Sequence, residues 1–274
     1  MMTLPVIDEE ETLTVIKSFV QTYVENAKLD SVVLGLSGGI DSAVMAMICA
    51  DVLGVDNTHC LFLPDTATPK GDLDDVEKLI KEYDLNVEQQ DISSLVESFT
   101  DNCAFNPDRL TLANVKARLR MVLLYAFANE KKSLVCGTSN KSELLIGYFT
   151  KYGDGGVDLM PLGDVFKSDV FRLARFLKLP DSLVDKPPSA GLWKGQTDEK
   201  ELRLNYHKLD LILWGLERRM DVERIAKECD VSVDDVRRIM HMRKCSQHKR
   251  RSALVPKIGL RTPGLDWRSP IQEG

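Results

Sequence analysis

The chain has 274 residues, 43% of them hydrophobic and 28% charged, with a formal net charge of −6. This is the composition of a protein with a substantial core, long enough for one α/β domain with or without a small appendage, and its acidity argues against general affinity for nucleic acid. No apolar run approaches the ~20 residues of a membrane span, and the acidic start MMTLPVIDEEETL lacks the order of a secretion signal. The six cysteines (49, 60, 103, 136, 229 and 245) are scattered without a CxxC pair. The missing span and signal predict a cytoplasmic protein, and in that setting the cysteine spacing predicts reduced thiols rather than disulfides or a zinc site.

In chain order, TLTVIKSFVQTYVENA (12–27) repeats apolar residues at helical spacing, and SVVLGL (31–36) is the short apolar run of a strand buried on both faces. SAVMAMICADVLG (42–54) predicts a helix that stops at Gly54. THCLFLP (58–64) predicts a second strand, GDLDDVEKLIKEYD (71–84) a helix with an acidic first turn, and NVEQQDI (86–92) a third strand. LTLANVKARLRMVLLYAFANEKK (110–132) predicts a long helix, apolar on more than one side. SLVCGTS (133–139) predicts a fourth strand that runs into the helix NKSELLIGY. Alternating strands and helices imply right-handed crossovers and a doubly wound parallel sheet with helices on both faces. Ligands of such sheets bind at the carboxyl ends of the strands, where loops 37–42 and 138–143 fall. Residues 149–164 and 185–199, rich in Gly, Pro and Asp, read as mobile loops over that edge. A helical segment from about 200 to 274 completes a single unit spanning 1–274.

The loop SGGIDS joins the first strand to its helix. Gly38 and Gly39 allow backbone N–H groups to close around an oxyanion, and the helix start adds partial positive charge. A merely tight connection remains an alternative. A Walker A loop is excluded because G-x-x-x-x-G-K-[ST] needs a lysine, and the dinucleotide fingerprint G-x-G-x-x-G is absent. Near the C-terminus, 237–261 carries lysines and arginines and no acids, a candidate anion-binding element. Residues 221–244 form two short helices about a turn, like a helix-turn-helix. The acidic balance of the chain argues against a DNA reader there.

SGGIDS resembles the pyrophosphate loop of the N-type ATP pyrophosphatases, which split ATP between its α and β phosphates. Within that superfamily, GTSNKSELLIGYFTKYGDGGVD (137–158) is similar to the signature of the NAD synthetases. NVKARLRM (114–121), PLGDVFKSDV (161–170), KPPSAGL (186–192) and QHKR (247–250) follow in that family's order. The resemblance runs over nearly the whole chain and implies an adenine nucleotide alpha hydrolase-like sheet. It implies an ATP-dependent ligase in which the nicotinate carboxylate of deamido-NAD attacks the ATP α-phosphorus. Ammonia then displaces AMP to give NAD.

The resemblance also assigns residues. ATP would be held by Gly35, Leu36, Ser37, Gly38, Gly39, Ile40, Asp41, Ser42, Thr138, Lys167 and Ser189, the last where the family commonly has threonine. Mg²⁺ would be held by Asp41 and Glu143, with Asp154 on a second ion. Two carboxylates from adjacent loops suit an ion that takes most of its ligands from phosphate and water. Lys167 would stabilise the departing pyrophosphate. Deamido-NAD would be held by Arg118, Arg120, Lys151, Asp158, His248 and Lys249, with Asp158 also in the catalytic set, because cations suit two phosphates and a carboxylate. Without the resemblance, Glu143 is a helix N-terminal charge, Lys167 a surface charge, and Arg118 and Arg120 the polar face of a long helix. A homodimer is implied, with helix 110–130 in its seam. The first strand begins near residue 31, which leaves no room before it for the amidase domain of glutamine-dependent relatives, so free ammonia is the expected nitrogen source. A separate glutaminase stays open. The FTKYGDGG block argues against a tRNA-modifying or other adenylating member. Asp41, Glu143 and Lys167 together argue against a non-catalytic nucleotide-binding regulator.

Overall fold

A computed structural model describes residues 2–189, 191, 193 and 195–263. Asp8 caps helix α1 (Glu9–Asn26), and strand β1 (Val32–Gly35) follows. The chain then runs through α2 (Ile40–Leu53), β2 (Thr58–Phe62), α3 (Lys70–Tyr83), β3 (Val87–Gln89) and α4 (Ser93–Asp101). The long α5 (Arg109–Lys131), capped by Asp108, leads to β4 (Leu134–Val135), and α6 (Lys141–Ile146) follows. All pairings are parallel, in the order β3-β2-β1-β4. The chain moves outward from β1 to β3 and then returns to β1's other side. The connections after β1 and β4 therefore diverge and leave a crevice at the carboxyl edge between them.

Alternation along the strands decides what each face buries. Val32, Leu34, Cys60 and Phe62 pack with Leu13, Ile16 and Val20 of α1, with Met45 and Ile48 of α2, and with Leu173 of α7 (Lys167–Phe176). Val33, Leu61 and Val135 pack on the opposite side, against Val96 of α4 and Ala128 of α5. Helices thus cover both faces, as the pattern predicts. On α5, Ala113, Ala117 and Ala128 are buried while Leu110 and Val122 are 63% and 54% exposed.

Three expectations are refined. The segment 149–164 is a run of hydrogen-bonded turns: Gly153 and Gly155 N–H donate to Thr150 O, and Gly156 N–H to Gly153 O. Its end lies along β4 through a parallel bridge between Cys136 and Leu159, with Leu159 and Leu162 buried, so apolar anchors tie it to the sheet. The helical C-terminal segment consists of α8 (Asp181–Val184), α9 (Asp198–Leu202), α10 (Tyr206–Glu217), α11 (Val222–Cys229), α12 (Val233–Cys245) and a 3₁₀ turn at Ser246–Arg250. No helix follows Arg250 up to residue 263, and 264–274 lie outside the described residues. Finally, the helix-turn-helix look of 221–244 arises from packing. Ile225 of α11 and Val236 and Ile239 of α12 are buried with Leu209 and Ile212 of α10 in a second core, which also takes in Ile146 and Phe166. Among the described residues, no helix is long and apolar enough to cross a membrane.

Candidate active site

The loop after β1 is built by its own small residues. Ser42 Oγ accepts from Ser37 N–H at 3.1 Å and donates to Gly39 O at 2.9 Å. Gly38 has φ +77°, and a Cβ there would stand 2.7 Å from the carbonyl oxygen of Asp72 at the start of α3, so only glycine fits. Lys186 Nζ donates to Gly38 O at 3.1 Å and pairs with Asp75 at 2.8 Å and with Asp72. A lysine therefore stands at this lysine-free loop, brought from residue 186.

On the other side of the crevice, Asn140 caps α6 in a capping box with Glu143. Its Oδ1 accepts from Glu143 N–H at 3.1 Å, and Glu143 Oε2 accepts from Asn140 N–H at 3.4 Å. Asn140 Nδ2 also donates to Asp41 Oδ1 at 2.8 Å, which ties the two loops together. Lys167, in the first turn of α7, is 2% exposed. Its Nζ contacts Asp41 Oδ2 and lies 3.6 Å from Glu143 Oε1, over the rings of Tyr206 and Phe171. A solvated surface lysine does not describe this residue.

The electrostatics follow from that enclosure. Burial, then the neighbouring Asp41 charge, pushes the Glu143 carboxyl up to about 8, against the pull of Lys167. Burial opposes the charge of Lys167, yet Asp41 and Glu143 outweigh it and hold the ammonium above its ordinary value. Asp198 adds a third carboxylate, which acts on both. It accepts from Tyr206 OH at 2.9 Å and Tyr148 OH at 3.2 Å, while Tyr148 OH also donates to Glu201 at 2.8 Å.

These groups open into a cavity of about 500 Å³. It is lined by every residue of 35–42, by Leu61–Pro64, and by Thr138, Glu143, Asp154, Lys167, Ser189, Asp198 and Lys249. The whole set expected for ATP thus borders one space. Among the described residues no three His, Cys, Asp or Glu side chains form a metal cage. The hard oxygens of Asp41 and Glu143, crowded onto one lysine, nevertheless fit a divalent cation that draws its other ligands from phosphate. Asp154 lines the same cavity and accepts from Thr150 N–H at 2.9 Å, with Arg120 and Lys249 as its charged neighbours.

The residues expected for the dinucleotide are dispersed. Lys151 Nζ donates to His248 O at 2.8 Å, and Lys249 Nζ donates to Gly147 O and Phe149 O at 2.7 Å each. Lys249 feels both Asp154 and Arg118, and Arg118 itself is exposed. Arg120 borders the cavity with its guanidinium tied down: Nε donates to Leu63 O at 2.9 Å and Nη2 meets Asp65 at 3.2 Å, beside the buried Lys116–Asp65 pair at 3.0 Å. Asp158 is exposed outside the cavity lining and accepts from Tyr125 OH at 2.9 Å and Val135 N–H at 2.8 Å. Part of the basic C-terminal run turns inward, since Arg250 Nη1 donates to Leu144 O at 2.7 Å and Leu145 O at 2.8 Å. With Lys249 it satisfies the carbonyls that end α6.

The reading from sequence passed over Asn140, Lys186, Asp65, Lys116 and Asp198. Asn140 had a local signal, the N-x-x-E of a capping box. The others are recognisable only by long-range partners.

The NAD synthase family model matches residues 12–253. An NH3-dependent NAD+ synthetase from Sulfurisphaera tokodaii is 40% identical over 260 residues, covering 93% of this chain and 91% of its own. The structure is similar to that of an NMN synthetase from Francisella tularensis (TM-score 0.82, 34% identity, 92% of this chain and 100% of that one). It is also similar to an NH3-dependent NAD synthetase from Campylobacter jejuni solved with a nitrate ion (TM-score 0.78, 30% identity, 92% and 100%). With a glycine loop, two carboxylates and a buried lysine assembled at one sheet edge, and with matches over nearly its whole length, this chain belongs to the NAD synthase family.

Proposed function

We propose that this protein is an ammonia-dependent NAD synthetase, joining ammonia to the nicotinate carboxylate of deamido-NAD at the expense of ATP. The observation that carries the reading is the meeting of Asp41, Glu143 and Lys167 beside the 37–39 loop, in one cavity with Thr138 and Ser189. The loop's backbone N–H groups and the start of α2 receive the phosphates. Lys167 supplies a fixed, buried charge toward the pyrophosphate as it leaves, which is worth most where water is excluded. Asp41 and Glu143 would hold Mg²⁺, which when bound would neutralise phosphate charge. Asp154 is the candidate for a second ion, although its charged neighbours are cations. The reaction passes the adenylyl group directly from ATP to the nicotinate carboxylate, without a covalent enzyme intermediate. Catalysis is then orientation plus charge stabilisation.

Arg118, Lys151, His248 and Lys249 hold the dinucleotide near the mouth of the cavity, with Asp158 toward the nicotinate. Arg120, which borders the cavity with its guanidinium held by Asp65 and Leu63 O, joins them. We further propose a homodimer with α5 in its seam, since Leu110 and Val122 of this helix are exposed, as is Phe105 just before it. The six free cysteines suit a reducing cytoplasm.

A second acceptor is favoured by one finding, the likeness to an NMN synthetase, which points to nicotinate mononucleotide. Pyrophosphate release from ATP and ammonium chloride, with either nucleotide as acceptor, tests both. The dinucleotide is expected to give the higher kcat/KM and to yield NAD, with almost no product from glutamine alone. A clear preference for the mononucleotide would replace the substrate in this proposal, and efficient use of glutamine would overturn its nitrogen source.

A further inference from the structure

Helix α10 belongs to the C-terminal core, yet it sends one carboxylate to the place where α6 and α7 both begin. Asp210 is completely buried. One of its oxygens accepts from the Ser142 hydroxyl, and the other accepts from Ser168 N–H at 2.9 Å and from Ser168 Oγ at 2.7 Å. Ser142 Oγ in turn accepts from Lys167 N–H at 2.9 Å. Ser142 thus gives its one hydroxyl proton to Asp210 and accepts from Lys167 with one of its lone pairs. Ser142 immediately precedes Glu143, and Ser168 immediately follows Lys167.

We propose that Asp210 is a positioning residue for adenylation, holding Glu143 and Lys167 at a fixed separation by tying the first turns of their two helices to one buried carboxylate. This rests on the function proposed above. The need is geometric. Glu143 sits on a helix of six residues and Lys167 on another that starts after a long run of turns, so neither is rigid in isolation. First-turn N–H groups lack partners within their own helix, and an acceptor shared between two helices joins them as one body. The far end of α6 is tied by Arg250 and Lys249, so the helix that carries Glu143 is gripped at both ends by the C-terminal segment. Asp210 lies within electrostatic range of Lys167, but its hydrogen bonds go to serines and not to the reacting groups.

Asp210→Asn keeps the shape and removes the charge and one acceptor. Its pyrophosphate release in a single turnover is expected to fall about 10- to 100-fold, the range of losses for groups that orient metal-site ligands. KM for deamido-NAD should stay within about twofold, because uniform substrate binding is untouched. Calorimetric binding of Mg·ATP without any acceptor nucleotide should weaken as well, and this readout does not depend on the substrate assignment. Ser168→Ala should show a smaller loss of the same kind, and Ser168→Thr, which restores the hydroxyl, should recover it. This pair decides the matter if Asp210→Asn does not fold. Wild-type rate and Mg·ATP affinity per folded molecule in Asp210→Asn, with only a lowered melting temperature, would overturn the proposal, as would equal losses in Ser168→Ala and Ser168→Thr. Absence of pyrophosphate release from the wild-type protein with any nicotinate nucleotide would refute the function instead, and Mg·ATP binding would still decide the role of Asp210.

Discussion

The side-chain amide of Asn140 bridges to Asp41 at 2.8 Å while its oxygen caps the helix that carries Glu143. One residue thereby sets the distance between the two carboxylates that face Lys167. Asn140→Ala is expected to cost about 1–2 kcal/mol for the lost cap and to lower turnover beyond what that instability explains. Urea unfolding and steady-state kinetics on the same preparation check this. Normal turnover from the folded fraction would limit Asn140 to capping.

Charge on Asp41 and Glu143 is required by the proposed chemistry and not by the core. Asp41→Asn and Glu143→Gln should each fold and lose NAD formation, because hard anionic ligands for a divalent ion are gone. Activity is measured across a magnesium titration. Near-normal turnover at saturating Mg²⁺ in either variant would remove that residue from the metal site.

Replacing Lys167 with methionine keeps a flexible side chain under the Tyr206 and Phe171 rings and deletes the buried charge. Loss of one preorganised group at a site of developing charge costs about 3–4 kcal/mol, or roughly 10² to 10³ in rate. The loss should fall on pyrophosphate release measured in a single turnover without ammonia. Asp158→Asn, outside the cavity, should instead weaken dinucleotide binding or slow the ammonia step, with ATP affinity kept. A wild-type burst of pyrophosphate from Lys167→Met would exclude the lysine from leaving-group stabilisation.

Asp169, in the first turn of α7, gives the pH prediction. Burial lifts its carboxyl from the ordinary 3.8 to about 6, against the help of Arg172 and with the added repulsion of Asp210. The folded state therefore binds this proton more tightly than the unfolded state. Between about pH 4 and pH 6 the protein loses stability from this group as pH rises, and above that it carries the full cost. Asp169→Asn should be more stable than wild type at pH 7, by about 1–3 kcal/mol at most, and the advantage should vanish at pH 4. Melting at both values measures it, and an advantage equal at both would show that ionisation is not its source.

The seam assigned to α5 is tested by Val122→Glu. A charge placed among apolar contacts between subunits should shift sedimentation from dimer toward monomer while the monomer keeps its fold. An unchanged sedimentation profile would move the seam elsewhere.

By itself, the sequence determined what depends on neighbours along the chain. The apolar runs at Val32–Gly35 and Thr58–Phe62 and the glycines of the 37–39 loop are local patterns, and the Asn140–Glu143 capping box, though passed over, is equally local. They place Asp41 and Glu143 just beyond strand ends. Strand order is not local. The switch between β1 and β4 arises from how the crossovers pack, and only it brings Asp41 beside Asn140 and Lys167. The fate of the charged residues is decided the same way. Arg120 turns to Asp65, Arg250 to the end of α6 and Lys186 to Asp72 and Asp75, because a charge removed from water takes whatever opposite charge or carbonyl the fold sets beside it. A basic residue in a string shows that a counter-charge is needed, and tertiary structure alone chooses between a substrate phosphate and the protein's own carboxylates.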